Sequence, residues 1–111
     1  MINISCCRYK DFVKALANET RQAILDLLRE QKMSAGEIGA YFSVTQPTIS
    51  HHLALLRRAG VVLAQREGQH VYYSINRCCL EACTRRLVEP FLKRETRGAM
   101  GREGNEPCEK S

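Results

Sequence analysis

The chain has 111 residues, of which 44% are hydrophobic and 26% charged, and its formal net charge is +5. This length and composition predict one compact globular domain, and the positive charge favours a polyanionic partner. No charged start followed by an apolar segment opens the sequence, and no run approaches the roughly 18 apolar residues of a spanning helix. We therefore expect a cytoplasmic protein. In that compartment its six cysteines are expected to be thiols, metal ligands or redox sensors rather than a disulfide framework.

The first 42 residues predict three short helices. Apolar residues recur at helical spacing in the first, and Asn18 is placed to cap a second that runs to about Glu30. Ser34 and Glu37 form a capping box for the third, because each side chain can satisfy a free backbone N–H at the helix start. We expect the buried sides of these helices to consist of Tyr9, Phe12, Val13, Leu16, Ile24, Leu27, Leu28, Ile38, Tyr41 and Phe42.

A fourth helix is predicted after the short turn Ser-Val-Thr. Thr45 is its expected N-cap, and Pro47 falls in the first turn, where a missing N–H costs nothing. Gly60 after two arginines is a stop signal. The apolar stripe of this helix is expected to be Ile49, Leu53 and Leu56.

The rest of the sequence predicts a β-hairpin and a last helix. Two β-rich runs, near Val61–Arg66 and His70–Ile75, flank the turn Glu-Gly-Gln. Asn76 is placed to cap the last helix, which Pro90 is expected to kink or end. Glycines and charges dominate beyond Lys93, so we expect a folded domain over residues 1–93 and a disordered tail over residues 94–111.

This order of elements is that of a winged helix-turn-helix, a mainly α fold with a β-hairpin wing. The tight turn sets two short helices at an angle that lets the second enter a major groove. Arginine and polar residues surround the hairpin tip, where they can contact the backbone at an adjacent minor groove. The residues predicted to contact DNA are Gln46, Thr48, Ser50, His51, Arg58, Arg66, Gln69 and His70. His52 lies beside the apolar stripe and is interpreted as structural, and a merely solvated helix face remains the alternative.

Three segments together resemble the ArsR/SmtB family of bacterial metal- and thiol-responsive repressors: LANETRQAILDLL, QPTISHHLALLRRAGVV and REGQHVYYSI. The resemblance covers about residues 9–93. It implies a homodimer joined mainly by the first and last helices, which binds an inverted-repeat operator and leaves it when an inducer binds. The residues that match the family's DNA-reading positions are Gln46, Thr48, Ser50 and His51. Two-fold symmetry then predicts half-sites about one helical turn apart.

Two sensing sites of the family are absent from this sequence. The third helix has no Cys-x-Cys, and the positions of the zinc site on the last helix hold Arg77, Cys79, Pro90 and Lys93. What remains is the segment NRCCLEAC. Its start lies near a helix N-terminus, which favours thiolates, and thiolates select soft ions. The expected inducer is trivalent arsenic or antimony, or another soft metal. It would be bound by Cys78, Cys79 and Cys83 if the first turn loosens, with Cys6 and Cys7 joining them or forming a separate site.

Other interpretations stay open from the sequence. The cysteines can be small apolar core residues, or the signal can be oxidation or persulfidation of a cysteine pair. A winged helix can also serve protein association alone. An enzyme and a required cofactor are not expected, because the sequence has no Ser-His-Asp, paired-carboxylate or phosphate-loop pattern.

Overall fold

The computed structural model describes residues 8–92. Cys6, Cys7, Lys93 and the predicted tail lie outside this range. The described elements are α1 (Tyr9–Leu16), α2 (Glu19–Leu28), β1 (Met33–Ser34), α3 (Ala35–Gly39), α4 (Gln46–Ala59), β2 (Val62–Glu67), β3 (His70–Ile75) and α5 (Arg77–Leu92). This mainly helical arrangement with a small antiparallel sheet confirms the predicted winged helix-turn-helix. Within the same range no helix combines the length and the apolar character needed to cross a membrane.

The predicted helix starts are formed by side chains that satisfy free backbone N–H groups. Asn18 Oδ1 accepts a bond from the N–H of Arg21 at 3.0 Å, which begins α2. At α3 both halves of the capping box are present, since Ser34 Oγ accepts from the N–H of Glu37 and Glu37 Oε1 accepts from the N–H of Ser34. Such caps stabilise a helix by about 1 kcal/mol each.

The core lies between the helices and the base of the sheet. The fully buried side chains come from every helix and include Phe12, Ile24, Ile38, Ile49, Leu53, Leu56, Val61, Cys79 and Cys83. Each buried aliphatic or aromatic side chain of this size contributes about 1.5–3 kcal/mol of transfer free energy. The stripe predicted for the fourth helix is therefore the centre of the core.

Two of the residues expected to be buried are exposed. Tyr41 is 65% exposed, because α3 ends at Gly39 and the turn that follows no longer keeps Tyr41 on the helical face. Val13 is 38% exposed on the outer side of α1, whereas Phe12 and Ala15 face the core. The predicted burial of Tyr41 and Val13 was therefore wrong for the single chain.

The sheet has the strand order β1-β3-β2, and β2 and β3 form the wing. Their register runs from Val62 opposite Ile75 to Glu67 opposite His70. The hairpin therefore turns through two residues, and Gly68 adopts a φ of 67°. A two-residue hairpin turn favours positive φ, which glycine adopts without steric cost. The sequence had predicted the hairpin but not β1, a strand of only two residues.

The last helix begins at the predicted cap and continues past Pro90. Asn76 Oδ1 accepts from the N–H of Cys79 at 3.3 Å, which confirms Asn76 as the cap of α5. Pro90 lies inside α5, which continues to Leu92, so of the two effects expected of Pro90, a kink or an early end, the early end is wrong.

Candidate functional site

The first half of α4 presents polar side chains away from the core. Thr45 Oγ1 accepts from the N–H of Thr48 at 3.4 Å, and Pro47 occupies the first turn, as predicted. Because one side of α4 is buried in the core, the opposite side is left for contacts outside the chain. Four residues here were predicted to read DNA. Gln46, Ser50 and His51 are exposed, and Thr48 is half-buried.

The wing tip carries the other predicted contacts. Arg66, Gln69 and His70 are all exposed and lie at or beside the hairpin turn. Arg66 Nε donates to the carbonyl of Gly68 at 3.3 Å, which directs the guanidinium along the turn. The structure therefore groups these three side chains at one end of the molecule's sheet, in the positions expected of a wing.

Sequence reasoning missed the attachment of the wing to the rest of the domain. Lys32 Nζ forms an ion pair with Glu67 near the wing tip, and it lies 5.4 Å from the ring centroid of Tyr72. The two ion-pair partners are 35 residues apart in the sequence, so no local pattern announces the contact. A cleft of about 690 Å³ lies next to this pair, between α3, β1 and the wing.

Arg58 lies apart from the other predicted DNA contacts. It is 12 residues after Gln46, the first residue of α4, and twelve residues of α-helix span about 18 Å. Arg58 instead lines a cavity of about 250 Å³ together with Asp11, Lys14 and Arg21. The structure thus places Arg58 beside α1 and α2, at the other end of α4.

His52 contacts the protein interior rather than the exposed face. It is half-buried, and its Nδ1 lies 3.0 Å from a terminal nitrogen of Arg21. Burial, then the Arg21 guanidinium, then neighbouring His51 lower the pKa of His52 from its ordinary value of 6.5. This environment agrees with the structural interpretation of His52.

The cysteines of α5 divide into two groups. Cys79 and Cys83 are fully buried, one turn apart on the same face, whereas Cys78 is exposed. Cys79 Sγ lies 3.8 Å from the carbonyl of Ala59, and Cys83 is disulfide-bonded. Within residues 8–92 no group of three or more His, Cys, Asp and Glu side chains can hold a metal ion. The described residues therefore bring together two of the three cysteines proposed from the sequence.

The end of α4 is the point where α1 and α5 meet. The carbonyl of Ala59 accepts from the N–H of Arg8 at 3.3 Å, and it is the same carbonyl that Cys79 Sγ contacts. Asn76 Nδ2 donates to the carbonyl of Gly60 at 3.0 Å. The cysteine-bearing start of α5 and the residue that precedes α1 therefore share the Ala59 carbonyl, and Asn76 adds a bond to the next carbonyl, that of Gly60.

Comparison with known proteins identifies the family. The model of the family described as "Bacterial regulatory protein, arsR family" matches residues 18–63. The transcriptional repressor SdpR of Bacillus subtilis is 46% identical over 68 residues, which cover 61% of this chain and 76% of SdpR. The chain belongs to the arsR family. Members of this family are DNA-binding transcriptional regulators and not enzymes. This confirms the expectations that the chain is a DNA-binding regulator and that it is not an enzyme.

Two further similar proteins show how far the similarity extends. The arsenic resistance transcriptional regulator ArsR1 of Pseudomonas putida is 41% identical over 64 residues, which cover 57% of this chain and 50% of ArsR1. The homodimeric winged helix-turn-helix DNA-binding domain of Mb0332 from Mycobacterium bovis is 32% identical, with a TM-score of 0.59. That match covers 75% of this chain and 80% of the solved domain.

Proposed function

We propose that this arsR-family regulator is a homodimeric repressor that leaves its operator when trivalent arsenic or antimony binds cysteine sulfurs at the start of α5. The observation that carries the proposal is the position of Cys79 and Cys83. Both are buried on one face of α5, and Cys79 contacts the end of α4. A ligand at these sulfurs therefore acts directly on the helix that carries the DNA-reading residues.

Double-stranded operator DNA is the proposed partner of α4 and the wing. The exposed polar start of α4 suits a major groove, and Arg66 at the wing tip suits the phosphate backbone next to it. Exposed apolar side chains on the outer faces of α1 and α5 support a homodimer joined by these helices, as the resemblance implied. These side chains are Val13, Val88, Phe91 and Leu92. The solved domain of Mb0332 is itself homodimeric.

Trivalent arsenic prefers three thiolates, and the N-terminal cysteines are the proposed source of the third. Cys78 is exposed on α5, so it reaches the other two only if the first helical turn unwinds. In contrast, Arg8 follows Cys7 directly in the sequence, and its N–H bonds the same Ala59 carbonyl that Cys79 contacts. We therefore favour Cys79 and Cys83 together with Cys6 or Cys7. The relative ArsR1 is named an arsenic resistance transcriptional regulator, which supports this choice of inducer.

A second candidate signal is oxidation of the same cysteines, and the disulfide at Cys83 favours it. Two thiols and one peroxide give a disulfide and two waters, so the step balances with peroxide as oxidant. Both candidates use the buried sulfur of Cys83, and they differ in the reagent that reacts with it.

The test is fluorescence anisotropy of the reduced, full-length protein on a labelled duplex that it has selected from random sequence. We expect arsenite to release wild-type protein at stoichiometric concentration, and Cys83→Ala to stay bound. Cys78→Ser is the matched control, because Cys78 is on the same helix but exposed, and it should be released as readily as wild type. Release of Cys83→Ala by arsenite would contradict the proposal. Release by peroxide alone, reversed by dithiothreitol, would establish the second candidate instead.

A further inference from the structure

Arg21 connects the end of α1 to the helix that carries the DNA-reading residues. Its Nε donates to the carbonyl of Ala15 at 2.7 Å, and one terminal nitrogen donates to the carbonyl of Lys14 at 3.2 Å. The other terminal nitrogen lies 3.0 Å from Nδ1 of His52 in α4. The last carbonyls of a helix lack partners within the helix, so the Arg21 guanidinium caps the end of α1. The same guanidinium also contacts α4.

The contact with His52 requires a neutral imidazole. An arginine stays charged and has only donors, so Nδ1 of His52 must accept the bond and the ring proton must lie on Nε2. A second proton on the ring removes the acceptor and places two cations side by side. Burial and the Arg21 guanidinium lower the pKa of His52, which keeps the ring neutral at pH 7.

We propose that Arg21 is a positioning residue for DNA binding, which holds the first half of α4 against the end of α1 through neutral His52. His51 precedes His52 directly, and the two ring centroids are 6.3 Å apart. A rotation of α4 that releases His52 therefore moves His51 as well. This inference rests on DNA binding through α4 and is independent of the arsenite response.

Charged groups from three helices surround the contact between Arg21 and His52. Arg21 comes from α2, and α1 and α4 contribute further groups around the adjacent cavity of about 250 Å³. These further charged or titratable groups are Asp11, Lys14, His51 and Arg58. Of the residue types present, only histidine ordinarily titrates between pH 5 and 8. If DNA binding changes between pH 5 and 8 and the change requires the Arg21–His52 contact, it is therefore assigned to His52.

The direction of the pH effect follows from the lowered pKa. Below pH 6.5 the unfolded chain takes up a proton on His52 before the folded chain does. The stabilisation is therefore fully present above pH 6.5 and is lost as the pH falls through the folded-state pKa. DNA binding that depends on the contact weakens in the same direction.

Two variants and one control separate this role from simple stabilisation. Arg21→Ala removes the contact, whereas His52→Asn keeps an acceptor close to the position of Nδ1 but does not titrate. Gln22→Ala is the control, because Gln22 Nε2 donates to the carbonyl of Leu16 at 2.6 Å, a bond that also joins α2 to the end of α1. All are full-length proteins, checked for folding by thermal melting and titrated onto the selected duplex and a scrambled one at pH 7.5 and pH 5.5.

We expect Arg21→Ala to bind the selected duplex about tenfold more weakly at pH 7.5, the scale of one hydrogen bond to a charged group. Gln22→Ala should match wild type. His52→Asn should bind like wild type at pH 7.5 and lose less affinity at pH 5.5.

Equal losses for Arg21→Ala and Gln22→Ala would overturn the proposal, and so would identical pH profiles for wild type and His52→Asn. If Arg21→Ala does not fold, the His52→Asn profile decides alone. If the wild-type protein selects no duplex, the proposed DNA binding is wrong. If the wild-type protein binds but the variants behave alike, only the role of Arg21 is wrong.

Discussion

The two ends of α4 differ in what surrounds them. At the start, Gln46, Ser50 and His51 are exposed. At the end, Ala59 is fully buried, and the carbonyls of Ala59 and Gly60 accept bonds from α5 and from Arg8. The exposed polar residues and the attachment to α5 therefore lie at opposite ends of one helix of 14 residues. Under the proposed function, this separates DNA recognition from the response to the inducer. A substitution at the start should change binding and leave stability intact, and a substitution at the end should do the reverse.

The largest expected effect is on stability, and it comes from the buried stripe of α4. Leu56→Ala removes a fully buried side chain from the core, and we expect it to lower the free energy of unfolding by about 2–5 kcal/mol. Urea denaturation measures this. Leu63→Ala is the control, because Leu63 is 51% exposed on the wing and its truncation should cost much less. Similar losses for the two variants would contradict the description of this core.

A smaller effect, on binding only, is expected at the start of α4. His51→Ala should weaken binding to the selected duplex by about 1–3 kcal/mol and relax its base preference. Its melting temperature should stay that of wild type, since His51 is exposed. Anisotropy titrations with single-base variants of the duplex measure the preference. Unchanged discrimination at every base pair would show that His51 does not read bases.

The smallest effect is expected where α5 is attached to the end of α4. Asn76→Ala removes the cap of α5 and the bond to the carbonyl of Gly60, and we expect a loss of about 1 kcal/mol in the free energy of unfolding. Affinity for the selected duplex in the absence of arsenite should change little. A large loss of affinity without a loss of stability would remove the distinction between the two ends.

Local signals in the sequence predicted much of this structure. Caps such as Asn18 and Ser34 act on N–H groups three residues away, so a short window of sequence contains both partners. The stripe of α4 follows from helical periodicity in the same way. Tyr41 shows the limit of helical periodicity. The pattern was extended past Gly39, the true end of α3, so it predicted a buried position for a residue that is outside the helix and exposed.

Contacts between distant residues were beyond the reach of such patterns. Arg21 and His52 are 31 residues apart, and Lys32 and Glu67 are 35 residues apart. A helical wheel gives the direction of Arg58 but not its distance from Gln46 or the helix packed against it. The separation of exposed Cys78 from buried Cys79 and Cys83 likewise depends on which side of α5 meets the core. Each of these results needs the tertiary packing.

The acceptors at the end of α4 are main-chain carbonyls, with a consequence for how such regulators diversify. A carbonyl at position 59 or 60 is chemically the same whatever side chain the residue carries, so the side-chain donors of this joint come from Asn76 and Cys79 on the α5 side. Another small donor at position 79, such as serine, can keep the bond to Ala59, and under the proposed function it changes the chemistry that the site recognises. Under the proposed function, inducer specificity can therefore change through substitutions on α5, while the residues of α4 that face the operator stay the same.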